Sequence, residues 1–120
     1  MPEGLYSKKA WQSLLLKYLG ASPKLKIIDF LMDNPLSDFK EKEVIEALGM
    51  SKQTFSRCWK ELERSGAVKV TRRIGRATMY QLDRKNDVVK QLIKLDMTLA
   101  RKAMEKAVEE YKKPVTVKSR

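Results

Sequence analysis

Gly49-Met50-Ser51-Lys52-Gln53-Thr54-Phe55-Ser56-Arg57-Cys58-Trp59-Lys60-Glu61-Leu62-Glu63-Arg64-Ser65-Gly66 is the stretch on which the fold turns. A glycine closes one helical pattern, and Ser51 stands where an N-cap belongs, its hydroxyl placed to accept from the unpaired amides of the next turn. From there Phe55, Trp59 and Leu62 recur at helical spacing with Cys58 beside them, which makes one face apolar and turns it inward. The opposite face carries Lys52, Gln53, Ser56, Arg57 and Lys60. An amide of this kind pairs with an adenine edge, and guanidinium or ammonium groups suit guanine or phosphate. Taken alone, such a face is as readily an ordinary solvated helix surface, so its surroundings have to decide.

Upstream, Val44, Ile45 and Leu48 predict a short helix from about Lys40, with Glu41, Glu43 and Glu46 toward water. Gly49-Met50-Ser51 is the turn between the two helices, with Met50 filling the angle. Downstream of Ser65-Gly66 the period changes from helical to alternating. Val68 and Val70 are expected on one side of a strand and Lys69 and Thr71 on the other. Arg72 to Arg76 reads as a turn, and Thr78, Tyr80 and Leu82 return as the second strand of a hairpin. The loop joining the strands is therefore basic, carrying Arg72, Arg73 and Arg76, and this tips the reading toward a polyanion-facing surface.

Further upstream, Ser22-Pro23 predicts a helix start, serine as cap and proline in the first turn. Leu25, Ile27, Ile28, Leu31 and Met32 make that helix largely buried, and it should stop before Asn34-Pro35 because the residue ahead of proline avoids the helical region. Leu36 to Phe39 reads as a brief strand with Phe39 toward the core. At the N-terminal end, Leu5, Tyr6, Ala10, Trp11, Leu14, Leu15, Tyr18 and Leu19 follow helical spacing, which predicts one amphipathic helix from Leu5 to Leu19, closed by Gly20.

The composition sets limits. A chain of 120 residues is expected to form one domain with room for one appended element. Lysine and arginine number 26 against 15 acids, a formal charge of +11, which points to nucleic acid or an acidic membrane surface as partner. With one cysteine and no histidine, an internal disulfide, a Cys/His zinc site and a Ser-His-Asp or Cys-His catalytic arrangement are all excluded. No cofactor is implied. Cys58 reads as a small apolar packing residue. The apolar cluster at Leu14 to Leu16 is too short for a secretory signal, and no run approaches the length of about 20 residues that spans a bilayer, so a cytoplasmic protein without a membrane partner is expected.

The order helix, short strand, helix, turn, helix, hairpin resembles the winged helix-turn-helix domain, and residues 22–83 carry the resemblance. Its detailed match lies in Val44 to Ser51, in Thr54-Phe55 followed by Trp59 to Lys69, and in the stretch from Arg72 to Tyr80. The pattern is similar to small transcriptional regulators of bacteria and archaea of the broad MarR-like and ArsR-like sort. The resemblance implies a mainly α fold with a small β-hairpin wing, the second helix of the pair entering a major groove and the wing touching the backbone or minor groove. By resemblance, Lys52, Gln53, Ser56 and Arg57 match base-facing positions, and Lys60, Arg72, Arg73 and Arg76 match phosphate or minor-groove positions. The cysteine and histidine clusters of metal-sensing members are absent.

From Asn86 to about Lys113 the chain reads as one long helix ended by Pro114. Val89, Ile93, Met97, Ala100, Met104, Ala107 and Tyr111 alternate in steps of four and three, a heptad-like seam widened by Leu92, Leu95 and Leu99. The two readings are a helix folded back on its own domain and a helix that pairs two copies. The second is favoured, because the N-terminal helix with Trp11 and Leu15 offers another apolar surface to join Ile93, Met97, Ala100, Met104, Ala107 and Tyr111. ArsR-like regulators similarly pair through their first and last helices, which the resemblance adds.

The expected organisation is thus an N-terminal helix over residues 1–21, a DNA-binding domain over 22–83, a dimerisation helix over 84–113 and a basic tail over 114–120. The leading expectation is a homodimeric, sequence-specific regulator that binds double-stranded DNA. The alternatives are a DNA-organising or plasmid-maintenance protein of the same fold with little sequence choice, and a winged-helix module that binds proteins. An enzyme is the least supported class, because the carboxylates are scattered beside lysines with nothing to group them. No residue set announces a small-molecule effector, and neither the operator nor the sense of regulation is legible.

Overall fold

The computed structural model describes residues 13–112. Seven elements follow in order: α1 (Leu14–Leu19), α2 (Pro23–Asp33), α3 (Glu41–Leu48), α4 (Lys52–Arg64), β1 (Val68–Ile74), β2 (Ala77–Leu82) and α5 (Asp87–Lys112). This is the expected winged helix-turn-helix architecture: α3 and α4 are the helix pair, β1 and β2 the wing.

The helix starts are set by local chemistry. Ser22 Oγ accepts from the Leu25 amide at 3.2 Å, and Ser51 Oγ accepts from the Thr54 amide at 3.1 Å, so each serine satisfies a donor that the helix itself leaves unpaired. At the start of α3, Glu43 Oε1 accepts from the Lys40 amide at 2.8 Å. Gly49 ends α3 at φ +63°, a left-handed conformation that frees the chain to turn sharply into Ser51. Asn86 does double duty. Its Oδ1 accepts from the amides of Val88 and Val89 to cap α5, while its Nδ2 donates to the Ser65 carbonyl and ties the start of α5 to the end of α4.

The core gathers Ile27, Ile28, Phe30 and Leu31 from α2, Val44 from α3, and Phe55, Trp59 and Leu62 from α4. Ala67, Val68 and Leu82 close it from the wing, and Val89 from α5. Phe55 stacks on Trp59 with ring centroids 5.0 Å apart, and Tyr80 meets Trp59 edge-on at 5.2 Å. Phe39 turns toward the core as expected, but the brief strand expected over Leu36 to Phe39 is reduced to a single bridge: Phe39 pairs with Tyr80 through two 2.8 Å backbone hydrogen bonds and tilts its ring onto Phe30 at 5.1 Å.

Several expectations need correction. The N-terminal helix does not run unbroken from Leu5 to Leu19: Ser13 is outside the helical region at ψ 133°, its Oγ accepts from the Leu16 amide, and α1 begins at Leu14. Ser13 also donates to Asp29 Oδ1 at 2.7 Å, which pins α1 to α2. Leu15, expected on a pairing surface, is instead fully buried, because α1 lies against α2 and α5 of its own chain. Trp11, the rest of that predicted helix and the basic tail lie outside the described residues.

In the wing, the turn is only Gly75-Arg76, and Arg72 and Arg73 stand within β1. Gly75 has φ +60°, the sign a two-residue hairpin of this kind takes at its first central position. A bulge at Thr71 breaks the alternation between Val70 and Arg72, leaves Val70 half-exposed and brings Met79 into the interior. Finally, Glu41 does not face water freely but is half-buried near Tyr80 and Glu63.

The long helix divides in two. Val89 is buried, and Leu92 and Ile93 pack against the core, so the first part of the seam folds back on its own domain. Beyond Ala100 every described residue of α5 is exposed, and Met97, Met104, Val108 and Tyr111 present apolar surface to solvent. Among the described residues, nothing covers that half.

Candidate nucleic-acid interface

Because Phe55, Trp59 and Leu62 fix the inward face of α4, the opposite stripe is fixed with them. Lys52, Gln53, Ser56, Arg57, Lys60, Glu61 and Arg64 line one open trough along the helix. Its sequence-predicted members are all brought together there. Lys52, Gln53, Arg57 and Lys60 are exposed, Ser56 is half-buried, and among the described residues no side-chain hydrogen bond or ion pair engages the three cations or the amide.

Glu61 and Arg64 complete the trough and were not anticipated. The signal was present: the step of four that links Arg57 to Glu61 and Lys60 to Arg64 merely continues the stripe by one more turn. Glu61 is not an isolated negative charge among cations. Lys24, in the first turn of α2, places Nζ 2.6 Å from Glu61 Oε1. Its hydrogen bond and charge hold the Glu61 carboxyl below the usual glutamate range, with weaker help from Arg64 and Arg57.

The wing arginines differ in their surroundings. Arg72 forms a two-pronged ion pair with Asp38, Nε to Oδ2 at 2.9 Å and Nη2 to Oδ1 at 3.2 Å. Thr71 Oγ1 donates to the same Asp38 Oδ2 at 2.6 Å. These bonds hold the Asp38 carboxyl below the ordinary aspartate range, Arg72 contributing most and Thr71 next. Arg73 Nη1 donates to Thr78 Oγ1 across the hairpin at 3.0 Å, and Arg76 stands exposed in the turn. The wing is joined to the trough by the shortest of connections, since α4 passes through Ser65-Gly66-Ala67 into β1 and packs on it.

Other chemistry is sparse. Among the described residues no group of three or more His, Cys, Asp and Glu side chains is arranged to hold a metal ion, and no helix is long and apolar enough to cross a membrane. Cys58 is a half-buried free thiol on the flank of α4.

A mainly helical domain whose second paired helix leads into a two-stranded wing defines the winged helix-turn-helix class, and the chain has that fold. Two solved structures share it. A point mutant of S. aureus MepR bound to an oligodeoxyribonucleotide matches at a TM-score of 0.59 and 14% identity, over 81% of this chain and 70% of its own. A second MepR point mutant, from a multidrug-resistant S. aureus clinical isolate, matches at a TM-score of 0.61 and 13% identity, over 86% of this chain and 74% of its own. No protein-family model and no curated protein matches the sequence.

Proposed function

We propose that this chain is a transcriptional regulator that binds double-stranded DNA as a homodimer, with α4 in the major groove and the wing on the backbone or minor groove. The observation that carries the reading is the trough on α4. Among the described residues Lys52, Gln53, Arg57 and Lys60 make no side-chain hydrogen bond or ion pair, and they share one exposed face on the element that this fold presents to a groove. The formal charge of +11 and the oligodeoxyribonucleotide bound to the MepR mutant of like fold support the same partner.

In this reading Gln53 and Arg57 read base edges, Lys52 and Ser56 assist them, and Lys60, Arg72, Arg73 and Arg76 neutralise phosphate. The exposed half of α5, with Met97, Ala100, Met104, Ala107 and Tyr111, pairs two copies and sets the recognition helices roughly 34 Å apart, one DNA turn. Ile93 lies at the edge of that seam, where it passes from the domain core into the pairing surface.

The test is a comparison of specific and random duplexes, the specific site being obtained by selection from a random library. Arg57→Ala is expected to reduce discrimination between them, and Arg76→Ala to weaken both about equally. Fluorescence anisotropy showing the same loss on both duplexes for Arg57→Ala would remove direct readout from its role.

A further inference from the structure

Asp38 lies outside both the helix pair and the wing, yet it holds the wing. It precedes Phe39, whose backbone pairs with Tyr80 of β2, and its carboxylate reaches over β2 to Thr71 and Arg72 of β1. Two successive residues of a regular strand point to opposite faces. Only the bulge at Thr71 lets the hydroxyl of Thr71 and the guanidinium of Arg72 converge on one carboxylate. The side chain of Asp38 is 16% exposed, whereas that of Arg72 is 60% exposed. The carboxylate is thus the inner member of the pair and the guanidinium the outer one. Of the five N–H donors on an arginine, Asp38 takes one from Nε and one from Nη2, both on the same edge. The remaining donors lie on the outer edge.

We propose that Asp38 is a positioning residue for DNA binding: it clamps the inner edge of the Arg72 guanidinium so that the outer edge faces a phosphate. The role rests on the DNA-binding reading above. A carboxylate on a DNA-binding domain ordinarily opposes binding, and its removal ordinarily tightens it. Here the expected sign is reversed. Asp38 fixes a planar, forked donor in one orientation, and a fixed fork meets phosphate with less loss of side-chain freedom than a mobile one.

The experiment measures duplex affinity against salt concentration for the full chain and for Asp38→Asn, Asp38→Glu, Arg72→Gln and the double variant Asp38→Asn/Arg72→Gln. Asp38→Asn is expected to weaken binding by about tenfold, the size of one hydrogen bond to a charged group. It should also flatten the slope of log affinity against log salt by about 0.9, the value of one phosphate contact. Arg72→Gln should do the same, the double variant should lose no more than either single one, and Asp38→Glu should recover most of the affinity. A nitrogen-edited NMR correlation for the Arg72 Nε–H reads the clamp directly and does not depend on the stability of the variant. It is expected in the free protein and to persist in the complex. Binding that Asp38→Asn leaves unchanged or strengthens, additive losses in the double variant, or disappearance of the Nε–H signal on adding duplex would each overturn the role. Absence of salt-dependent duplex binding by the unaltered chain would overturn the DNA-binding reading and this role with it.

Discussion

Lys24 and Glu61 join the first turn of α2 to the trough of α4 through a 2.6 Å ion pair, so the one acid on that surface is held by a cation from another helix. Both side chains are about half exposed, and exposed pairs contribute little to folding. The consequence falls on binding. Glu61→Gln should tighten binding to every duplex by a few-fold, whereas Lys24→Ala, which leaves the carboxylate uncompensated, should weaken it to all of them. Melting temperatures of both variants should stay near that of the unaltered chain. Anisotropy titrations beside thermal melts check both halves.

Phe55 is fully buried and stacks on Trp59, which in turn meets Tyr80 of the wing. Phe55→Ala should therefore cost about 3–5 kcal/mol of stability, enough to unfold much of a domain of this size. Chemical denaturation monitored by Trp59 fluorescence would show the midpoint fall. A loss under about 1 kcal/mol would mean that the α4 core is far looser than its burial indicates.

Met97 and Met104 are 65% and 68% exposed, so neither supports the fold of its own chain. Met97→Glu with Met104→Glu should leave the melting profile of the domain in place and shift the chain from dimer to monomer in sedimentation velocity. Affinity for a palindromic site should fall toward that for a half-site. An unaltered sedimentation coefficient would remove this face from pairing.

Burial raises the Glu41 carboxyl above the ordinary glutamate range, the charge of Glu63 adds to the rise, and a hydrogen bond with Tyr80 partly offsets it. A carboxyl raised on folding contributes stability below its unfolded pKa and loses it as pH rises through the folded one. Glu41→Gln should therefore melt higher than the unaltered chain at pH 7, and the difference should close below about pH 4. A difference of opposite sign at pH 7 would mean that the Tyr80 hydrogen bond outweighs desolvation.

The features legible in the sequence were those decided within a few residues. Ser22, Ser51 and Gly49 mark helix ends because a cap needs only its own turn, and the apolar spacing of Phe55, Trp59 and Leu62 fixed the outward stripe without reference to anything else. What escaped depends on contacts distant in sequence. Asp38 is an unremarkable acid until the bulge at Thr71 brings Arg72 to it from 34 positions away. The same bulge displaced the wing turn to Gly75-Arg76, since strict alternation carries no sign of an inserted residue. Ser13 sat on a polar position of a plausible helical pattern, and its side-chain bonds to Leu16 and Asp29 are what make it a boundary.

α5 is 26 residues long, about 39 Å, and its outer half stands clear of the other described elements of its own chain. In a pair joined along that half, the rod is a ruler: where two rods cross sets the gap between the reading heads. Seven residues inserted into the exposed half would keep the apolar seam in phase and move the crossing by about 10 Å, close to three base pairs. The preferred gap between half-sites would then lengthen while every side chain that touches a base stays the same.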